Sequence, residues 1–151
     1  MTVDARAGER LDVRRRVAAV PDRLAAAARS AIGRPVPAGE WSPSEVVRHL
    51  IAVEEAVWIV RLRQLAADEK PRWPWVEPDP WQGAPEATLD DLLARFASLR
   101  AATVAILDGL GTEGWSRTGL HATWGEVDVA ALMIRAVDHD EEHIASFVAQ
   151  R

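Results

Sequence analysis

Apolar residues recur at a helical spacing in four stretches, separated by segments rich in Pro, Gly and polar residues. The first stretch runs from about Glu9 to Ala31. Leu11, Val17, Val20 and Leu24 give it an apolar side, Gly33 ends it, and Pro21 is expected to kink or interrupt it. The second opens at "WSPSEVVRHL", where Ser42 reads as an N-cap, Pro43 as the first helical residue and Glu45 as the partner that completes a capping box. It should run to about Ala67 with Val46, His49, Leu50, Val53, Val57, Val60 and Gln64 on one face. The third opens at a Thr88–Asp91 capping box and ends near Gly109, with Leu92, Leu93, Phe96, Leu99, Val104 and Leu107 as its apolar residues. The fourth follows an Asp128 cap and runs to about Ala149, its core side made of Leu132, Met133, Ala136, Val137, Ile144, Phe147 and Val148.

Alternation of period two is weak throughout, and Pro breaks the one Trp/Val-rich segment, so almost no strand is expected. The pattern predicts an all-α chain: a single domain over residues 1–151, folded as a four-helix bundle with a long Pro/Trp-rich loop at 69–87 between the second and third helices. A connection of more than about 12–15 residues inside a compact domain is usually functional or disordered. The tryptophans of "PRWPWVEPDPWQG" argue against disorder.

Composition narrows the chemistry. The 151 residues are 48% apolar and 27% charged, with a net charge of −5 and no basic tract. Nucleic acid and anionic membrane are therefore poor partners. No apolar run approaches the roughly 20 residues that span a bilayer, and the N-terminus lacks the apolar core of a signal peptide, so a cytoplasmic protein is expected. The absence of cysteine excludes disulfides, thiolate ligands and a cysteine nucleophile. Any thiol in the chemistry must come from a small molecule.

Three of the four histidines fall on faces that should point inward. His139 and His143 stand four residues apart, hence on one helix face, at the edge of the stripe of Leu132, Ala136 and Phe147. His49 shares a face with Val46, Val53 and Val60. Three neutral imidazoles meeting inside a bundle suit a borderline divalent ion such as zinc or nickel, and three protein ligands leave a coordination position open. Glu142, within a turn of His139, could orient a ligand or act as a base. The blander reading is a surface HxxxH pair among carboxylates and a satisfied core histidine on the second helix.

Two further groups have double readings. His121, in "GLHATWGE", is either an exposed loop histidine or a border of the metal pocket. Trp73, Trp75 and Trp81 either cap the core or line a substrate cleft above the metal. Trp41, Trp58, Trp115 and Trp124 read as core, interface or other structural residues.

"WSPSEVVRHLIAVEEAVW" (41–58) followed by "RTGLHATWGEVDVAALMIRAVDHDEEHIASF" (117–147) resembles the DinB-like superfamily over nearly the whole chain. The resemblance implies a four-helix bundle with a histidine on helix two and an HxxxH pair on helix four, positions held here by His49, His139 and His143. It also implies similarity to the metal-binding domain of mycothiol-dependent maleylpyruvate isomerase and to bacillithiol transferases. Those isomerases look to carry a carboxylate where this chain has His139, which places the chain nearer the DinB-like branch. By this resemblance the chain is expected to be a metal-dependent S-transferase acting on a low-molecular-weight thiol and an electrophilic substrate. The Ala/Arg-rich composition fits a high-GC actinobacterial source, where that thiol would be mycothiol. A metal-dependent hydrolase and a non-enzymatic binding or stress-related protein are the alternatives, and a homodimer is expected.

Overall fold

A computed structural model describes the chain from residue 3 to residue 149, and its side chains from 5 to 147. Its helices are α1 (Val3–Ser30), α2 (Pro43–Val53), α3 (Ile59–Ala66), α4 (Leu89–Gly109), the short α5 (Gly111–Trp115) and α6 (Val129–Ala149). A π-helical turn, Glu54–Trp58, fuses α2 and α3 into one bundle element. None of these helices is long and apolar enough to cross a membrane.

The capping chemistry marks the helix starts. The Ser42 hydroxyl accepts from the Glu45 N–H while the Glu45 carboxylate accepts from the Ser42 N–H. Thr88 and Asp91 repeat the exchange at α4. Asp128 accepts from the Ala131 N–H at 2.8 Å and so caps α6. Each box satisfies amide donors that the first helical turn leaves without partners.

α1 packs against both α4 and α6, and α2 packs against α4, so that α1 and α2 stand across the bundle from each other rather than side by side. α2 and α3 meet α6 more sparingly. The gap between these two elements is where the inward histidines lie.

Three expectations change. First, α1 is continuous through Pro21, and its buried stripe is Val13, Val17, Val20, Leu24 and Ala28, continued by Ala31 in the turn just past its end. Leu11 stands two residues before Val13, on nearly the opposite face, and is 68% exposed. Val20 and Leu24, buried on either side of Pro21, hold the helix together by packing where proline removes one hydrogen bond.

Second, the face expected for the second helix breaks at the π turn. There the Ile59 N–H bonds to the Glu54 carbonyl, five residues back, so one extra residue is accommodated. At 3.6 residues per turn, one residue rotates everything after it by about 100°. Arg61, Leu62 and Leu65 therefore face inward, and Val60, expected inside, is 42% exposed.

Third, the approach to α6 is a hairpin. β2 (Thr118–His121) pairs antiparallel with β3 (Gly125–Asp128), and β1 (Arg72–Trp73), from the long loop, adds in parallel to β2. These strands are too short to leave a period-two signal. Gly119 is required where the Trp73 ring crosses β2: a Cβ there would lie 2.6 Å from the ring. The long loop is thus anchored along its length. Arg48 donates to the carbonyls of Trp81, Gly83 and Ala84, and the Trp73 indole donates to Gln64 at 2.8 Å. Leu99 and Val104 are partly rather than fully buried, and the side chain of Val148 lies outside the described residues.

Candidate metal centre

His49 from α2 and His139 and His143 from α6 come together across the gap. One ring nitrogen from each lies within 4.8 Å of the others. Nε2 of His49 and Nε2 of His139 are 3.3 Å apart. The ring centroids are separated by 4.8 Å for His49–His143, 4.9 Å for His139–His143 and 5.3 Å for His49–His139. His49 is 4% exposed, whereas His139 and His143 are half-buried.

The donor set fits a metal ion. Zinc–nitrogen bonds of 2.0–2.1 Å in a tetrahedron hold ligand nitrogens about 3.4 Å apart, close to the His49–His139 spacing of 3.3 Å. Neutral imidazole has one lone pair and one N–H, so the two facing Nε2 atoms share a hydrogen bond when one of them carries its ring's proton, and present converging lone pairs to a cation when both protons sit on Nδ1. Burial, then the neighbouring His143 and His139 rings, push His49 down to about 4 despite the nearby Asp140. Burial and the His139 ring likewise lower His143, against the opposing pull of Glu142 and Asp140. The cluster thus presents the neutral, coordinating form of His49 at neutral pH.

Behind the histidines lies a buried ionic network that helix spacing did not reveal. Arg100 of α4, 1% exposed, donates to both carboxylate oxygens of Glu54 at 2.9 and 2.8 Å, to Asp140 at 2.5 Å and to the Val17 carbonyl at 3.2 Å. Thr103 donates to Glu54 at 2.6 Å. Burial alone would lower the Arg100 pKa, but Glu54 and Asp140 outweigh it and raise it. The carboxylates between the two α6 histidines divide accordingly. Asp140 is buried in this network, Glu141 pairs with Arg23 on the surface, and Glu142 is exposed beside the site.

A cavity of about 460 Å³ opens on the triad. His121, Trp75 and Glu142 line it. Trp73 and Trp81 are not among its lining residues. Trp73 is buried under the loop, with its ring 5.3 Å from the Arg61 guanidinium, and Trp81 lies against Arg48 and Arg95. Their placement follows the core-capping alternative, because each indole finds its partners among residues that pin the loop down.

Two tryptophans read as merely structural also form cavity wall. Trp41 sits 4.9 Å from the His49 ring, and Trp58 meets the His139 ring edge-on at 6.1 Å. Arg61 was hidden by the π turn, since an unbroken helix places Val60 inward in its stead. Trp41 had one signal in the sequence: it directly precedes the Ser42 cap of the helix that carries His49.

Among curated proteins, none matches the chain. Among solved structures, the fold is similar to that of YfiT from Bacillus subtilis, described as a probable metal-dependent hydrolase with an unusual four-helix bundle topology. The two share 20% identity at a TM-score of 0.74, over 99% of this chain and 87% of that one. The family model of the DinB superfamily matches residues 5–146. With a bundle of that fold and a match over nearly its whole length, the chain belongs to the DinB superfamily.

Proposed function

We propose that the protein is a divalent-metal-dependent enzyme that transfers a low-molecular-weight thiol, of the mycothiol type, to an organic electrophile. The observation that carries this reading is the convergence of His49, His139 and His143 on a cavity of about 460 Å³. A divalent ion such as zinc or nickel held by these imidazoles supplies an open coordination position and favours the deprotonated form of a thiol or water there.

The chain's own residues supply the rest. Val53, Val57, Trp58 and Trp75 give the cavity apolar walls that exclude water and hold an organic body. Glu142, exposed at the cavity and close enough to His143 to act on it electrostatically, can accept the proton that the nucleophile loses. The protein has no cysteine, so the nucleophilic sulfur enters with the ligand. A cavity of this size is far larger than a water molecule needs and accommodates a thiol that has a body of its own. Hydrolysis, with water in place of the thiol, is the second reading, favoured by the description of YfiT and by the same Glu142.

Elemental analysis of tag-free protein tests the centre. About one equivalent of metal in the wild type, lost in His49→Ala, His139→Ala and His143→Ala, supports it. A wild type that stays metal-free after incubation with zinc or nickel refutes it. Turnover of an electrophile only with added thiol supports transfer, and turnover without thiol favours hydrolysis.

A further inference from the structure

Arg61 lines the same cavity and is 5% exposed. Its polar partner is the Pro74 carbonyl, 2.9 Å from Nη2, and its flat face lies over Trp73 at 5.3 Å. Both partners are neutral, and among the described residues no ion pair within 4.0 Å engages it. Arg100 shows what this fold does with a buried guanidinium that belongs to the scaffold: it is matched by two carboxylates. A buried cation without a counter-ion is costly. The π turn nevertheless rotates Arg61, and not Val60, onto the cavity wall, and such turns occur often at functional sites.

His121 adds a second donor to the same wall. Its Nδ1 accepts the backbone N–H groups of Thr123 at 3.0 Å and Trp124 at 3.3 Å. An accepting Nδ1 places the proton of the neutral ring on Nε2. That Nε2 is buried and has no partner, in a residue 2% exposed. The Trp124 ring, stacked on the imidazole at 3.9 Å, keeps the ring in this orientation. Glu77 and Glu142, both exposed at the cavity, pair with neither residue.

We infer that Arg61 and His121 form an anion subsite, and that the small molecule taken into this cavity carries a carboxylate-type group as well as the atom that reacts. The planar guanidinium fork matches a carboxylate, and a partnerless imidazole N–H supplies one further donor. The inference deepens the function proposed above and rests on the same cavity, but it does not require a metal to be present.

The test is a tryptophan-fluorescence titration with two probes of like shape, benzoate and its neutral amide benzamide. It is run on the protein as purified and after chelator treatment, with metal content measured in parallel. In the wild type, benzoate should bind at least about tenfold tighter than benzamide in both forms. Arg61→Gln should bring the ratio close to one, and Arg61→Lys should keep part of it. The ratio guards against a folding defect, which would weaken both probes alike. A wild-type ratio near one, no binding of benzoate, or a ratio unchanged in Arg61→Gln overturns the subsite. So does a preference that vanishes on chelation yet survives in Arg61→Gln, since the carboxylate would then sit on the metal. A metal-free wild type with an Arg61-dependent preference would refute the metal centre and leave the subsite standing.

Discussion

Nδ1 of His139 lies 3.7 Å from Oδ1 of Asp140, and the other oxygen of that carboxylate accepts a hydrogen bond from Arg100 at 2.5 Å. One candidate metal ligand thereby touches the buried network that ties α2, α4 and α6 together. Glu54 and Asp140 bring two negative charges and Arg100 one positive, so the network carries a net −1 beside the three imidazoles. Its charge favours a cation at the triad, and with the Asp140 carboxylate on the Nδ1 side of His139, Nε2 is the ring nitrogen that faces His49.

Asp140→Asn keeps the shape and removes the charge. It should weaken zinc binding about tenfold or more, measured by competition with a chromophoric chelator. An affinity equal to the wild type would mean that the carboxylate serves the scaffold alone.

Arg100→Met leaves Glu54 and Asp140 buried without their cation. Removing one partner of such a network costs about 3–5 kcal/mol. Urea unfolding should show a loss of that size, with a smaller loss for Thr103→Val, which deletes one hydrogen bond to Glu54 and leaves the two from Arg100. Equal stability of Arg100→Met and the wild type would contradict the network's role in the fold.

Gly119→Ala places a methyl group 2.6 Å from the Trp73 ring, which is itself buried. Overpacking of this kind costs about 1–3 kcal/mol. The damage should centre on the β1–β2 pairing, seen as faster amide exchange at Leu120 and Ala122, whose N–H groups bond to Pro71 and Trp73. Unchanged exchange at these two amides would count against the close approach.

His121 gives stability a pH dependence. Burial first, then Arg61 and Arg135, hold its pKa below the ordinary value of 6.5. The unfolded chain therefore takes up this proton at a higher pH than the folded one. The contribution is complete above about pH 6.5 and declines as the pH falls through the folded-state value. Denaturant unfolding at several pH values should show a shallower acid-side loss in His121→Gln than in the wild type. Identical slopes would show that His121 protonates as readily in the folded protein.

Much of the bundle was legible because its signals are local. Ser42–Glu45, Thr88–Asp91 and Asp128 each cap a helix through atoms at most three residues apart. The spacing of His139 and His143 places both on one face of α6 in any α-helix. The stripe of Leu132, Met133, Ala136 and Val137 states which way that face turns, and each of these residues is buried. What failed was phase and pairing. Val60 was expected inside because nothing in "EEAVWIV" announces a π turn, and Leu11 because one apolar residue off the stripe looks like part of it. The strands at 72–73, 118–121 and 125–128 are each four residues or fewer and owe their pairing to partners up to about fifty positions away.

The sequence by itself determined the four helices, their caps, the lack of any thiol and the three histidines able to meet, since each depends on residue type and short-range spacing. Tertiary structure decided the rest. It brought His49 to within 3.3 Å of His139 across ninety residues, buried Arg100 between two acids that helical spacing does not connect, and turned Arg61 toward the cavity. These are long-range choices made by packing and by the cost of burying charge, and no window of local sequence contains them.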